Sequence, residues 1–323
     1  MGCLYGGNLA RVGASVTMID VWAEHVAAMN QKGLEMDGLH GEFTAKVSAA
    51  VSADGVEPAD VAILLTTTNE TDQAAAIASQ ILKDDGFALT LQNGLGNTEK
   101  LDGVLGENRS MAGLSFHSAD LRGPGRVTHS NHGPTYLGER DRSKSDRLES
   151  LRSWMEKAEM DPVVEDDIMS TIWGKFVHNC GINALCAITD LRPGHIQDVP
   201  ELDAYQTEII REAMALVQAK GITIPDTDPE TTVKAYCAKK FHRVSMLQHL
   251  ARRRQTEIDA LNGYVVRESQ KLGLKAPYND ALTKLMKGRH HFPEIDDESS
   301  PVDWKGRRQG SEGAGAQGGG DSE

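Results

Sequence analysis

Short apolar runs and helix-period stripes alternate along the first 140 or so residues. The stretch "SVTMID" predicts a strand ending at Asp20, and "AEHVAAMNQKG" a helix stopped by Gly33. "DVAILLTTT" predicts a buried strand, "TDQAAAIASQILKDDG" a helix closed by Gly86, and "FALTLQN" a strand running into Asn93-Gly94. "SMAGLSFHS" and "GPTYLGE" read as two later strands flanking a "GPGRV" turn. Strand alternating with helix predicts an α/β fold, a Rossmann-type parallel sheet with crossover helices.

The pattern changes after about residue 145. "RLESLRSWMEKAEM" has a helical period and "DPVVEDD" reads as a short return strand. In "DDIMSTIWGKFVHNCGINALCAIT", Ile168, Ile172, Phe176, Cys180 and Ala184 recur at helical spacing as an apolar stripe. "VSMLQHLARRRQTEIDALNGYVVRESQKLG" is expected to be a second long helix, ending at Gly273. The expected organisation is a dinucleotide-type sheet domain over 1–163, an all-helical domain over 164–293, and a tail over 294–323. That tail is rich in Gly, Ser and acid, lacks an apolar period and is expected to be disordered.

The chain has 323 residues, 39% hydrophobic and 25% charged, which is enough for two packed domains. Its net charge of -13 argues against nucleic acid or an anionic membrane as partner. No run of about 18 apolar residues predicts a membrane span, and no signal-peptide pattern is visible. Four cysteines at irregular spacing read as reduced core thiols, which places the chain in the cytoplasm, and no metal-ligand spacing is evident.

Two groups of residues carry candidate chemistry. The first lies at the start, "MGCLYGGNLA RVGASVTMID". In a dinucleotide-binding βαβ unit three glycines let a turn, a pyrophosphate and a helix–strand contact form, and an acid about 20 residues on holds the adenosine ribose. Gly2 fits the third glycine and Asp20 the acid, although Gly2 alone also fits a plain helix start. The strand and turn of such a unit do not precede Met1, so this reading expects about ten further residues upstream.

The second group is helical. Lys175, Asn179 and Asn183 fall at i, i+4 and i+8, along one helix face distinct from the apolar stripe. Asn weakens a helix interior, so this face suits a cleft holding one proton donor and two amides better than it suits solvent. An ordinary solvated lysine beside two asparagines is the alternative. Ser245 and Glu257 lie on the second helical pattern, where Glu257 is either an ordinary surface charge or a partner for the lysine. Asn93 follows a strand at the C-terminal end of the sheet, where open α/β folds bind ligands, but Asn-Gly is also a common turn. His117 and His178 lie near these segments with no acid at a readable spacing and are read as structural.

Together "MGCLYGGNLA", "LQNGLGN", "IWGKFVHNCGINAL" and "SMLQHLARRRQTEIDALNG" give a chain that resembles the ketopantoate reductase family, within the 6-phosphogluconate-dehydrogenase-like superfamily, over essentially residues 1–290. The resemblance implies a Rossmann domain, a helical domain and an active site between them. It implies reduction of a small 2-keto acid with a nicotinamide cofactor. By resemblance Lys175 is the general acid and Glu257 the carboxylate that assists it and binds the substrate hydroxyl. Asn93, Asn179, Asn183 and Ser245 are substrate-binding positions. Gly2, Asp20, Thr67 and Asn93 are cofactor positions, with Thr67 standing where the family usually has a lysine. The family implies NADP(H), whereas the carboxylate of Asp20 favours NAD(H). A homodimer is left open. The alternatives are a reductase of a different 2-keto acid, a non-catalytic dinucleotide-binding protein and an inactive homologue of the same fold.

Overall fold

A computed structural model describes residues 1–291. The first half is built on strands. Ala59–Leu64, Leu82–Thr90 and Ser110–Ser115 run parallel, Thr135–Gly138 pairs antiparallel with Ser110–Ser115, and Pro162–Val164 adds parallel to Thr135–Gly138. The sheet is therefore mixed rather than wholly parallel. The strand read from "SVTMID" forms at Thr17–Ile19, but it pairs with Ser48–Ala50 in a separate two-stranded ladder. Among the described residues no strand bridges Thr17–Ile19 and Ala59–Leu64, and residues of both line one cleft.

A third sheet was not anticipated. Its order is Phe43–Ala45, Leu34–Gly38, Arg126–Asn131 and Ser118–Gly123. The "GPGRV" turn is the hairpin that joins its last two strands, Ser118–Gly123 and Arg126–Asn131. These strands are short, and "LEMDG" and "SADLRG" alternate over only two apolar positions each, amid acids and glycine, too brief a period-2 pattern to announce them.

One helix boundary also differs. The helix beginning at Thr71 stops at Ile81 rather than at Gly86, because Leu82 already pairs with Ala59 and the sheet takes the backbone. A register irregularity then absorbs the polar Lys83–Asp85 before Phe87 pairs with Val61.

The second half is helical. Ile168–Thr189 is its axis, capped where Asp167 accepts from the Ser170 amide and ended by Asp190 in the left-handed region. Ile168, Phe176, Cys180 and Ala184 of the expected stripe are buried, and Ile172 is half-buried against the same core. At Gly181 a Cβ would lie 2.8 Å from Ile210 Cγ1, so glycine lets the Pro200–Ala219 helix pack close. All four cysteines are buried and unpaired, as expected of core thiols.

The expected second long helix is broken. Ser245–Ala251 is helical, Arg252–Thr256 is not, Ile258–Ala260 makes one 3-10 turn, and Asn262–Lys271 resumes the helix. Between Leu250 and Ile258 the side chains include three consecutive arginines and offer no apolar face except Ala251, so nothing holds a helix against the core there. The tail over 294–323 lies outside the described residues. No helix among the described residues is long and apolar enough to cross a membrane.

Candidate active site

A cleft of about 2450 Å³ runs between the sheet side and the long helix. All nine positions singled out in the sequence line it or stand at its wall: Gly2, Asp20, Thr67, Asn93, Lys175, Asn179, Asn183, Ser245 and Glu257.

The long helix supplies Lys175, Asn179 and Asn183 from one face, as their spacing requires. Lys175 Nζ donates to the Ser115 carbonyl at 2.8 Å and lies 4.9 Å from the centre of the Phe116 ring. Burial pushes the ammonium pKa down to about 8, partly opposed by the charge of Glu257. Asn183 is buried, and among the described residues neither it nor Asn179 makes a side-chain hydrogen bond. Buried amides are almost always satisfied, so two idle ones facing a cleft are poised for a ligand. Ser245, at the first position of its helix, likewise leaves its hydroxyl unengaged toward the cleft.

Glu257 comes from the broken segment, at the cap of the 3-10 turn. It is buried and accepts from the Thr68 amide at 3.3 Å and from the Asn93 side chain. Burial raises its carboxyl pKa, while those hydrogen bonds and Lys175 pull the other way. The break in the helix is what turns Glu257 inward, for the turn hands its carboxylate to Thr68 on the sheet side.

The sheet wall is densely hydrogen-bonded, although among the described residues the buried Thr68 hydroxyl has no partner. Gln92 Nε2 donates to the carbonyls of Thr66 and Thr67 at 3.2 and 3.1 Å, and its Oε1 accepts from the Thr90 hydroxyl at 3.0 Å. Thr71 donates to Asn97 Oδ1 at 2.9 Å, and Asn97 Nδ2 donates to the Asn93 carbonyl at 3.1 Å. This network fixes the loops that carry Thr67 and Asn93. Sequence reading missed Gln92 and the Ser115 carbonyl. Gln92 precedes Asn93 in the quoted motif, and a polar amide closing the apolar run "FALTLQ" is the sequence signal for it; a backbone carbonyl leaves no signal in a sequence.

At the other end of the cleft, Asp20 is exposed and its Oδ1 accepts from the Trp22 amide at 2.9 Å. Gly2 sits in the first turn of the helix Gly2–Arg11. A Cβ at Gly2 would meet nothing nearer than Met18 Cε at 3.7 Å, so close helix–strand packing does not demand glycine there. That close approach falls instead at Gly6, against Met18, and at Gly7, against Met36. His178, read as structural, lines the cleft with its Nε2 3.4 Å from Asp226 Oδ2, a pairing that 48 residues of separation hid.

Residues 1–142 match the family model described as "Ketopantoate reductase PanE/ApbA", and residues 167–290 match "Ketopantoate reductase PanE/ApbA C terminal". The chain is 31% identical over 289 residues to the 2-dehydropantoate 2-reductase of Pyrococcus horikoshii, covering 90% of this chain and 94% of that protein. It is 28% identical over 292 residues to the enzyme of the same name from Streptococcus pyogenes, covering 88% and 94%. Among solved structures it is similar to a PanE/ApbA family ketopantoate reductase from Ralstonia eutropha, with TM-score 0.84 and 28% identity over 90% of this chain and 95% of that one. It is also similar to D-mandelate dehydrogenase solved with NADH, with TM-score 0.82 and 25% identity over 91% and 97%. A cleft that sets a buried lysine beside idle amides and two family matches spanning both halves lead to one conclusion: the chain belongs to the ketopantoate reductase family.

Proposed function

We propose that the cleft reduces 2-dehydropantoate to pantoate, with Lys175 as the proton donor. The observation that carries this reading is Lys175 itself, a lysine whose pKa is lowered to about 8 beside idle amides of the same helix face. A donor whose pKa lies near the working pH both holds its proton and releases it readily.

The cleft has room for a nicotinamide dinucleotide, which supplies a hydride when bound. Gly2 fits the pyrophosphate end, since no protein atom comes within 3.7 Å of where its Cβ would stand and the first-turn amides of a helix lack intrahelical partners. Asp20 fits the adenosine ribose, and Thr67 and Asn93 flank the reacting end.

Lys175 gives its proton to the C2 carbonyl oxygen as that oxygen gains charge, and its own positive charge stabilises the developing alkoxide in a poorly solvated cleft. Glu257 holds that charge in place and accepts from a substrate hydroxyl. Asn179, Asn183 and Ser245 supply hydrogen bonds to the substrate's polar groups.

Asp20 favours NAD(H). Val21 and Trp22 bring no charge, and Arg11 is committed to Glu159 at 2.5 Å, so a 2'-phosphate would meet a carboxylate without a counter-charge. A reductase of a different 2-keto acid is the second reading, favoured by the likeness to D-mandelate dehydrogenase and by Thr67 in place of the family's lysine. A panel of 2-keto acids assayed with NADH and with NADPH decides both points. Highest kcat/KM on 2-dehydropantoate with NADH is expected. No turnover of 2-dehydropantoate would refute the substrate, and a clear preference for NADPH would refute the Asp20 argument.

A further inference from the structure

His117, His129 and His132 gather beside the end of the Ser110–Ser115 strand, and His117 and His132 line the same cleft as Lys175. His117 follows that strand, His129 belongs to Arg126–Asn131, and His132 comes just after it. The hairpin brings their rings together, with centroids 5.1 Å apart for His117 and His129, 4.9 Å for His117 and His132, and 6.1 Å for His129 and His132. Each ring offers one nitrogen to a group in which all three lie within 4.8 Å of one another. His117 and His129 are buried, and His132 is partly open to solvent.

The tautomers are set by the backbone. His117 Nε2 lies 3.1 Å from the Met160 carbonyl, and His129 Nε2 lies 3.0 Å from the Asn131 carbonyl. A carbonyl only accepts, so each Nε2 carries the hydrogen and each Nδ1 keeps a lone pair; that of His117 faces His129 Nε2 at 3.1 Å, a contact that an ion would replace. His129 Nδ1 is buried with no hydrogen-bond partner among the described residues. Burial, reinforced by the neighbouring imidazoles, holds the pKa of His129 down to about 4 and lowers that of His117. Neutral imidazoles with the far nitrogen pinned to a carbonyl are how metal-ligating histidines are held. The nearest acids do not explain the cluster by ion pairing, since Asp161 is 3.8 Å from the exposed His132 and Glu159 is 3.9 Å from the neighbouring His40.

We propose that His117, His129 and His132 form a binding site for one divalent transition-metal ion of the zinc class. Three imidazoles and no carboxylate suit Zn²⁺, Co²⁺, Ni²⁺ or Cu²⁺ rather than Mg²⁺ or Ca²⁺, which take oxygen ligands. Three protein ligands leave a fourth tetrahedral position for solvent or an exchangeable group. The ion would tie the hairpin to the strand end at His117. That residue is two positions from Ser115, whose carbonyl receives Lys175, so occupancy would stiffen the corner on which the lysine rests. The spacing gave no sign of this site, because its ligands sit at the two ends of a hairpin, His117 just before its first strand and His129 and His132 at the end of its second.

The test is titration of untagged, chelator-stripped full-length protein with Zn²⁺ followed by calorimetry, and with Co²⁺ followed by visible absorption. One equivalent of Zn²⁺ at micromolar affinity or tighter is expected, with a rise in Tm and a four-coordinate Co²⁺ spectrum. His129→Gln is expected to abolish binding. Since that buried change could also disturb folding, His132→Ala is the decisive variant. It should weaken Zn²⁺ binding about tenfold or more, the loss seen when even an outer partner of a metal ligand is removed, while leaving the metal-free Tm unchanged. No stoichiometric binding, or equal affinity in His132→Ala, would overturn the proposal.

Discussion

The two walls of the cleft are built differently. On the sheet side Gln92, Thr71 and Asn97 spend their hydrogen-bonding capacity on one another and on the loops at Thr66, Thr67 and Asn93. On the helix side Asn179, Asn183 and Ser245 spend none of theirs among the described residues. A satisfied buried network contributes to stability and rigidity, whereas an idle amide contributes little to stability and is available to a ligand. The contrast separates residues that hold the cleft in shape from residues that use it.

That separation can be broken by substitution. The largest effect is expected at Lys175, which belongs to the using side. Lys175→Ala should lower turnover by about 10²- to 10⁴-fold, as for loss of a general acid, with Tm little changed, because burial already disfavours its charged form. Steady-state kinetics beside a melting curve checks both halves of the statement. On the holding side, Gln92→Ala should cost about 1–3 kcal/mol of stability, since it removes the side-chain acceptor of the buried Thr90 hydroxyl and the donor that ties down the Thr66 and Thr67 carbonyls. Denaturant unfolding measures that loss, and an unchanged midpoint would place Gln92 outside the supporting network.

A smaller effect sharpens the contrast from the other direction. Asn183→Ala should raise KM for the keto acid about tenfold, the size of one hydrogen bond to a charged or polar group, while changing stability by less than about 0.5 kcal/mol. If Asn183→Ala instead lost stability as Gln92→Ala does, the helix wall would be structural too.

The same contrast explains what the sequence disclosed. Lys175, Asn179 and Asn183 were legible because one helix carries all three, and a fixed helical period converts spacing into a shared face. The apolar runs at 61–64, 87–90 and 110–114 were legible as strands because they hold few charged side chains, and the last two are buried throughout. Glu257 was legible as a residue but not in its setting. The polar gap over Arg252–Thr256 breaks the helix, and that break delivers the carboxylate to Thr68. The third sheet was hidden because it pairs Leu34–Gly38 with Arg126–Asn131 far along the chain, and the histidine cluster because only the closing of a hairpin brings its rings together, neither of which local pattern encodes.

The central claim is that Lys175 of the helix wall supplies the proton. Its pKa is lowered to about 8 by burial, and only the protonated form can act as the acid. Protonation is therefore complete well below that pH and is lost as pH rises through it. The most direct measurement is kcat/KM for 2-dehydropantoate reduction across pH 6 to 10, a ratio that reports groups of the free enzyme. A plateau at low pH and a tenfold fall per unit above a midpoint near 8 is the predicted result. A profile that stays level or rises through pH 10 would contradict it.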